Sequence, residues 1–589
     1  MKFLALAVDY DGTIAFNDVM DERVRHAIAD LRAKDVVVLI VTGRILSELK
    51  RVAGDLHFVD AVVAENGAVL EFTSNGYSRL LAPPVPEQIM EALRHEGIPF
   101  QAGECLIDLG AETAPNLLAL LERLELPLTL CFNHNRLMVL PQAVSKATGL
   151  REALKMLRLS PHNTVAIGDA ENDHVLLRAA EYGVAVAWGS EALKSTADFV
   201  LPGKDPSAVA GFLESMGGAL LIPKTRHARR RLQLGYTDAG DDFSIALQDG
   251  SMLIAGDAKS GKSWVTGLIS EQLILFGYSL FIIDPEGDYT SLEALPGVCV
   301  YGGADPLPRP RDLLRLLRHA DTSIVIDLSH TSHEEKVDYV HALLSGLILL
   351  RQQTGIPHRI VIDEAHYFLG DANVNASLDL AHGPYILVSY RPSWMPTEVL
   401  HSAQTIIVTC ESSPVEVELL RSLCSASPGS EDLAAWARAL ESLTMSEAMI
   451  LPITAESLGE MCRIHLSPRL TPHARHAAKY VDIPVPVKDE FIFWQDGQAS
   501  GPRVSTLRAF TDALPSIKPS SVIMHFRQHD FSNWIRDVFG DYPLARTVLT
   551  LEDNAGALGV PTALLEICDA IRARYDFIDP LSNGAQPRR

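Results

Sequence analysis

Residues 3–13 read FLALAVDYDGT, an apolar run that ends in two aspartates, a glycine and a threonine. Similar short apolar runs recur along the first third of the chain, separated by amphipathic stretches such as 22–33; they occupy residues 36–41, 61–64, 164–167 and 183–187. Apolar runs of strand length that alternate with helical segments are typical of a parallel sheet. The sequence therefore predicts an α/β fold in which Asp9 and Asp11 face a crevice beyond the carboxyl end of the first strand.

More polar residues are expected at the same sheet edge, because they follow other strands or begin a helix. They are Thr42, Gly43 and Arg44 after the second strand, Asp169, Asn172 and Asp173 after the strand at 164–167, and Lys146 at a helix start. Carboxylates, a hydroxyl and a lysine at one edge suit phosphoryl transfer. Mg²⁺ prefers oxygen ligands, and it reduces the repulsion between a carboxylate and an anionic phosphate.

The residues also suggest a role for each group in that reaction. We predict that Asp9 attacks phosphorus, and that Asp11 protonates the leaving oxygen and then activates water. Asp9, Asp169 and the backbone of Asp11 would hold Mg²⁺, while Thr42 and Lys146 would donate to the phosphoryl oxygens.

Five motifs carry a family resemblance. DYDGT, VTGR, AENGA, SKATGL and GDAENDHVLL occur in this order within residues 1 to about 215. They resemble the haloacid dehalogenase superfamily, in particular its Cof-type branch, which includes sucrose-phosphate-phosphatase-like enzymes. The resemblance implies an Mg²⁺-dependent phosphatase with a substrate-selecting cap, for which residues 83–140 are the candidate. By position it implies the following roles: Asp9 as nucleophile, Asp11 as acid and base, Asp169 and Asp173 at the metal, Asn172 beside them, Thr42 and Lys146 on phosphate, and Gly43, Arg44 and Asn66 nearer the substrate.

A second site is predicted by residues 256–263, which read GDAKSGKS and match the GxxxxGK[ST] pattern. The loop lies between an apolar run at 252–255 and a helical stretch at 264–276. Backbone amides of such a loop surround the phosphates of ATP; here they belong to Gly256, Asp257, Ala258, Lys259, Ser260 and Gly261. Lys262 would reach the β- and γ-phosphates and Ser263 the Mg²⁺.

Further apolar runs indicate a second α/β unit around this loop; they occupy residues 280–283, 323–326, 359–362, 386–388 and 405–408. Three of them are followed by Asp284, Asp327 and Asp363. Only Asp363 is followed by another acid, so we predict that Asp363 organises the Mg²⁺ shell and that Glu364 orients the attacking water. A strand-to-loop cap is the favoured interpretation for Asp327 and stays open for Asp284.

The segment DPEGDY at 284–289 resembles the DPHGEY-like segment of HerA/FtsK-type P-loop translocases, as does LGY at 234–236. The resemblance covers about 232–470 and implies a RecA-like domain in hexamers that hydrolyse ATP between subunits. The sequence departs from the family at Tyr390 in VSYRP, where the family commonly has the glutamine of TQRP. Whether this domain hydrolyses ATP rapidly therefore stays open. Arg391 is the candidate phosphate sensor, and Arg421, Arg463 and Arg469 are candidates for an arginine that acts in trans.

Composition restricts the partners. Lys and Arg number 51 against 74 Asp and Glu, a net charge of −23, so a nucleic acid could be bound only by a local basic patch. Candidates are residues 224–231, for which a solvated linker is the favoured interpretation, and 469–480, where His473 and His476 lack a partner for zinc. The seven cysteines form no CxxC pair, and no run of 18 apolar residues occurs. We therefore expect a cytoplasmic protein without a membrane span.

The predicted organisation has five parts. They are an α/β phosphatase-like domain at 1–217 with its cap at about 83–140, a basic linker at 218–232, a P-loop domain at 233–470, a basic connector at 471–488 and a small, mainly helical domain at 489–589. The last part resembles a domain of unknown function in phosphatase–ATPase fusions of bacteria, and its aromatic residues are expected to form a core. Three hypotheses follow: a phosphatase fused to an oligomeric ATPase, a phosphatase whose P-loop domain only senses nucleotide for assembly, and an ATP-driven processor of nucleic acid. The phosphatase substrate would be a small phosphorylated metabolite of unspecified identity.

Overall fold

The computed structural model describes residues 1–133, 135–223, 230–247, 250–370, 378–380, 383–424, 433–451, 461–472, 485, 489–494, 501–539 and 541–575. Much of the predicted basic run at 224–231 and nearly all of the predicted connector at 471–488, including His473 and His476, lie outside these residues. The described residues form a multidomain α/β structure with a helical C-terminal part.

The N-terminal domain is built on an eight-stranded sheet in which the first six strands are parallel and the last two antiparallel. In spatial order the strands are Phe199–Leu201, Tyr182–Val186, Thr164–Gly168, Ala5–Val8, Val37–Val41, Ala61–Ala64, Val69–Phe72 and Tyr77–Leu80. Its helices are Glu22–Arg32, Leu46–Ala53, Lys146–Leu157, His174–Ala179, Glu191–Thr196 and Ser207–Ala219. The predicted strands of this domain are confirmed.

Alternation along the first strand shows why its sequence is apolar throughout. Leu6 and Val8 lie in the core on one face of the sheet, and Ala5 and Ala7 lie in the core on the other. Because helices cover both faces, both sets of side chains are buried. The alanines face the helix Lys146–Leu157, where small side chains leave room for it to pack closely.

The cap is a separate small layer with its own apolar core. Its antiparallel sheet contains, in spatial order, Leu128–Asn133, Arg136–Pro141, Ile107–Gly110 and Gln101–Ala102, and its helices are Glu87–His95 and Ala114–Leu124. The sequence has helical patterns at 87–96 and 116–124 and strand-like runs at 128–132 and 137–140, and these correspond to both helices and to two of the strands. The strands at 101–102 and 107–110 were not predicted, because they are too short to show a period.

The second domain contains an eleven-stranded sheet with seven parallel strands and four antiparallel ones at one side. In spatial order they are Asp242–Ala246, Arg231–Thr237, Cys462–Leu466, Glu447–Leu451, Ala403–Val408, Ser251–Ala255, Tyr385–Ser389, Arg359–Ile362, Leu280–Asp284, Ser323–Asp327 and Val298–Gly302. Its helices are Lys262–Leu275, Pro310–Leu316, His333–Thr354, Ala365–Leu369, Thr397–His401, Pro414–Ser422 and Leu433–Glu441.

The six strands predicted in this domain are present, and one boundary needs correction. The predicted linker at 218–232 is shorter, because the helix Ser207–Ala219 continues into it and the strand Arg231–Thr237 begins inside it. Arg231 and Leu232 are therefore strand residues that pair with Ala246 and Ile245.

The C-terminal part consists of a short hairpin, Phe491–Ile492 with Arg503–Val504, and the helices Leu507–Ala513, Pro519–Gln528, Asp530–Trp534, Tyr542–Leu558 and Val560–Tyr575. The aromatic residues expected in a core are buried there; they are Phe491, Phe493, Phe510, Phe526, Phe531 and Trp534. None of the helices in the described ranges is long and apolar enough to cross a membrane. The seven cysteines are all free thiols.

Candidate active sites

Three neighbouring strands of the N-terminal sheet end at the first site. Asp9 follows Ala5–Val8, Thr42 follows Val37–Val41, and Asp169 follows Thr164–Gly168. Lys146 reaches the same edge from the first turn of the helix Lys146–Leu157, whose start is stabilised by a capping box between Ser145 and Thr148.

A conformationally special glycine sets where that helix begins. Gly67 has φ +108°, and a Cβ on it would overlap the carbonyl oxygen of Ser145. The loop after the strand Ala61–Ala64 therefore packs directly against the start of the helix, and only glycine allows this approach.

The carboxylates of Asp9, Asp169 and Asp173 form one buried cluster. Each offers an oxygen, and these oxygens lie within 4.8 Å of one another. The Nζ atom of Lys146 is 2.5 Å from Asp9 Oδ1 and 2.6 Å from Asp173 Oδ1. Asp173 is further held because its Oδ2 accepts the amides of Asp169 and Ala170, both at 3.1 Å. A donor set made only of oxygens fits Mg²⁺.

The electrostatics of this cluster favour a cation. Burial raises the pKa of Asp9. The nearby charge of Lys146 lowers this pKa, whereas the negative charges of Asp173 and Asp169 raise it further. For Lys146 burial lowers the pKa, but Asp173 and Asp9 more than offset this, so the pKa lies above its usual value and the amine stays charged. One lysine thus faces several carboxylates, and a divalent cation held by the same oxygens would favour ionised Asp9.

Asp11, the predicted acid and base, is engaged by an arginine. Arg44 donates to both of its oxygens, from Nε at 2.6 Å and from Nη2 at 2.5 Å, and also pairs with Asp18. This pair raises the pKa of Arg44 above its usual value. Proton transfer by Asp11 therefore requires this bidentate pair to open, an interaction that the sequence did not predict.

The residues expected near the substrate do come together. The hydroxyl of Thr42 accepts the amide of Arg44 at 3.1 Å, and its carbonyl accepts the amide of Asn66 at 3.0 Å. Asn172 Nδ2 donates to Asn66 Oδ1 at 3.3 Å. Asn66 Nδ2 in turn lies 3.7 Å from Cys131 Sγ, so a cap strand contacts this group of residues.

Two further contacts join the cap to the sheet edge, and the sequence did not reveal either. Glu65 accepts the amides of Glu104 and Cys105, at 3.0 and 2.7 Å, and so ties the cap to the loop that carries Asn66. A Cβ on Gly43 would lie 3.1 Å from the sulfur of Met138, a buried cap residue. The AENGA motif contains Glu65, but an acidic residue beside a turn does not indicate in the sequence that it contacts the cap.

The P-loop lies at the second site, between the strand Ser251–Ala255 and the helix Lys262–Leu275. Its lysine contacts its own loop: Lys262 Nζ donates to the carbonyls of Gly256 and Asp257, at 2.9 and 2.7 Å. Asp257, Ser260 and Lys262 are buried, while Lys259 donates to the carbonyl of Arg574 in the C-terminal domain.

Asp288 is a residue of this site that the sequence analysis missed. The hydroxyl of Ser263 donates to Asp288 Oδ2 at 2.5 Å. Asp284 shapes the intervening loop, because its carboxylate accepts the amides of Gly287, Asp288 and Tyr289 at 2.7 to 3.0 Å. Asp284 is therefore a loop cap, and Asp327 is one too, because its Oδ1 accepts the amide of Ser329 at 2.8 Å. The DPEGDY motif was the available signal for Asp288.

The predicted Walker B residues lie at the end of the strand Arg359–Ile362. Asp363 and Glu364 are buried, and Glu364 has φ +47°. Tyr390 lies across the site, with its ring centroid 5.9 Å from Lys262 Nζ, and burial raises its pKa to about 12. Arg391 stacks on Trp394 at 4.8 Å and donates to the carbonyl of Val538 at 3.4 Å, so its guanidinium contacts the C-terminal domain.

One candidate for an arginine in trans is wrong. Arg469 is buried and donates to Glu271 Oε1 at 2.9 Å and to Thr471, which fixes it against the P-loop helix of its own chain. Arg463 donates to Ser442, and Arg421 is half-buried, so both remain predictions.

The C-terminal domain covers one wall of the P-loop. Ala258 belongs to its aromatic core. The guanidinium of Arg574 donates to the carbonyl of Ala258 at 3.2 Å and to Asp541 Oδ2 at 3.0 Å. Nothing in the sequence signalled this contact, because the partners are more than 300 positions apart.

Comparison with known proteins gives a separate match for each of the two α/β domains. A family model described as haloacid dehalogenase-like hydrolase matches residues 6–106 and 120–213, and the model of the central domain of the helicase HerA matches residues 249–352. The chain is 30% identical over 226 residues to a phosphoglycolate phosphatase of Archaeoglobus fulgidus, covering 36% of this chain and 96% of that protein. It is 31% identical over 234 residues to one of Methanopyrus kandleri, covering 35% and 94%. A solved haloacid dehalogenase-like hydrolase from Bacteroides thetaiotaomicron covers 36% of this chain and all of its own, at 17% identity and a TM-score of 0.33.

Proposed function

Because the chain belongs, through residues 6–106 and 120–213, to the haloacid dehalogenase-like hydrolases, we propose that this part hydrolyses phosphomonoesters through a phosphorylated Asp9. The carboxylate of Asp9 attacks phosphorus, the ester oxygen leaves with a proton from Asp11, and Asp11 then deprotonates the water that releases phosphate. Mg²⁺ bound by Asp9, Asp169 and Asp173 would supply charge neutralisation for the phosphoryl group.

The observation that carries this proposal is the position of Lys146. Its ammonium lies between Asp9 and Asp173, within 2.6 Å of both, at the point where an anionic phosphoryl group would arrive. Thr42 adds a hydroxyl at the neighbouring strand end. Arg44 releases Asp11 when the substrate enters, because Asp11 needs a free oxygen to transfer a proton.

The proposal is tested by measuring phosphate release from a panel of phosphorylated metabolites. The panel begins with phosphoglycolate, because similar proteins are named phosphoglycolate phosphatase. A small phosphorylated carboxylic acid should give the highest kcat/KM, and Asp9→Asn should abolish turnover. Asp55→Asn, an exposed aspartate of the same domain, serves as the matched control. Unchanged turnover in Asp9→Asn would contradict the proposed nucleophile.

For the second domain we propose ATP binding and hydrolysis in a homo-oligomer. Lys262 would contact the phosphates, Ser263, Asp288 and Asp363 would hold Mg²⁺, and Glu364 would orient water. Support comes from the hydrogen bond between Ser263 and Asp288 and from the match to the HerA central domain. Lys262→Ala should lose ATP binding at the P-loop while phosphatase activity persists, and Glu364→Gln should bind ATP at the P-loop without turnover.

A second candidate function is a nucleotide-sensing assembly module that does not hydrolyse ATP. It is favoured by Tyr390, which packs over Lys262, and by Arg391, whose guanidinium contacts the C-terminal domain. Steady ATP turnover that disappears in Glu364→Gln would exclude it. ATPase activity stimulated by DNA at low salt would instead support the nucleic-acid hypothesis, and its absence there would exclude that hypothesis.

A further inference from the structure

A cavity of about 880 Å³ lies where the N-terminal and P-loop domains meet. None of the residues predicted for the phosphatase site or the P-loop site lines it; Arg230, from the predicted basic run at 224–231, does. The junction around it is packed: His162 stacks on Tyr278 with 3.7 Å between ring centroids, and its Nε2 lies 3.0 Å from the carbonyl oxygen of Phe276. Tyr278 also donates to Glu181 Oε2 at 3.0 Å. The cavity is therefore a recess in a packed interface between two domains.

The lining of this recess is cationic. Five basic side chains contribute to it: Arg151, Lys155, Arg158, Arg178 and Arg230. Arg230 pairs with Glu181 at 2.8 Å, whereas the other four are exposed. Asp321 is the one carboxylate residue among the described residues that line it. In a chain with a net charge of −23, such a local excess of positive charge attracts anions.

Part of the same wall is apolar. Met156, Leu275 and Phe276 line the recess and are 37%, 50% and 39% exposed. Large apolar side chains that stay exposed beside converging cations are typical of a site for a ligand with one apolar and one charged end. The volume also lies within the range of small-molecule sites, roughly 300 to 1,000 Å³.

We propose that this recess binds a nucleoside polyphosphate, with its phosphates on the arginines and its base against Leu275 and Phe276. Arg151 and Lys155 are one helical turn apart on the helix Lys146–Leu157, so their side chains extend from neighbouring positions of one face. The guanidinium groups provide the bidentate donors that phosphate accepts. The basic side chains line a single recess. This arrangement suits a compact polyphosphate better than the extended phosphate backbone of a nucleic acid.

The test uses the full chain with Lys262→Ala, which removes the P-loop lysine. ATP binding by calorimetry should persist at one site in this background. Arg151→Glu with Lys155→Glu should weaken that binding about tenfold or more, because two charge-assisted contacts become repulsive. Arg23→Glu with Lys204→Glu changes the net charge equally at exposed positions outside the recess and should leave affinity unchanged. Hydrolysis of p-nitrophenyl phosphate by every variant shows that the N-terminal domain is folded.

Two comparison ligands make the outcome decisive. Tripolyphosphate should bind more weakly than ATP, since it has no group for the apolar wall; equal affinity would overturn nucleotide recognition. A single-stranded oligonucleotide that binds more tightly than ATP, and loses this in the Arg151→Glu/Lys155→Glu variant, would assign the recess to nucleic acid instead. If Lys262→Ala binds no ATP, or binds it unaffected by the double reversal, the proposal is wrong. The unmutated protein should bind one ATP more than Lys262→Ala, which tests the P-loop separately.

Discussion

At the scale of single residues, a substitution of Asp288 can distinguish a ligand of Mg²⁺ from a direct ligand of the nucleotide. Asp288 accepts a hydrogen bond at 2.5 Å from the hydroxyl of Ser263, the P-loop residue that is predicted to bind Mg²⁺. We therefore expect Asp288 to act on nucleotide through Mg²⁺. Asp288→Asn should weaken Mg-ATP binding about tenfold and affect metal-free ATP much less. Titrations with and without Mg²⁺ measure this. Asp305→Asn, an exposed aspartate of the same domain, is the control, and an equal loss in both conditions would contradict a metal ligand.

The residues of the first site show what local sequence can and cannot reveal. Asp9, Thr42 and Asp169 were predictable because each follows an apolar strand, and parallel strands bring their ends together. The pairing of Asp11 with Arg44 was not predictable, since it depends on side-chain directions across a turn. For the same reason Arg469 was misjudged: its burial against Glu271 is a tertiary contact.

At the scale of elements, Gly67 tests how a loop positions a catalytic helix. Gly67→Ala should lower phosphatase kcat strongly, because the added methyl group overlaps the Ser145 carbonyl and displaces the helix that begins at Lys146. Gly76→Ala is a close control, since Gly76 also has positive φ, +66°, but has open space around it. Steady-state kinetics and thermal melting of both variants measure the effect. Equal losses would indicate backbone strain alone rather than displacement of the helix.

Strands were predictable where both faces are buried and missed where they lie at the antiparallel side of the second sheet. The strand Arg231–Thr237 has the sequence RLQLGYT, and its exposed and buried residues largely alternate. This strand has few apolar residues, and it follows the arginines at 229–231, which favoured the interpretation as a linker. The strands Glu447–Leu451 and Cys462–Leu466 pair with each other, and their other partners, Ala403–Val408 and Arg231–Thr237, are farther away in sequence. Pairing with such distant partners leaves no local pattern.

At the scale of the whole molecule, Glu181 links two domains through Arg230, His162 and Tyr278. Burial raises its pKa, but the bonds from His162 and the charge of Arg230 prevail and lower it from 4.5 to about 2. A lowered pKa stabilises the folded state above pH 4.5, by up to about 3 kcal/mol, and this is lost as the pH falls toward 2. Glu181→Gln should thus lower the Tm at pH 7, and the difference from the unmutated protein should shrink below pH 4.5. Exposed Glu191→Gln is the control, and a difference independent of pH would contradict the ionic origin.

The last helix of the C-terminal domain, Val560–Tyr575, contacts the P-loop at residues 256–263. Arg574 donates to the carbonyl of Ala258, Lys259 donates back to the carbonyl of Arg574, and Ala258 is buried in the aromatic core. These contacts hold the loop whose amides must surround phosphates, so Arg574→Ala should loosen it. Hydrogen exchange of residues 256–263 without nucleotide should then accelerate, about tenfold for each 1.4 kcal/mol of lost local stability. Arg572→Ala, on the same helix and near Asp569 at 3.8 Å, should leave the exchange of these residues unchanged. If both variants exchange alike, the C-terminal domain does not restrain the P-loop through Arg574.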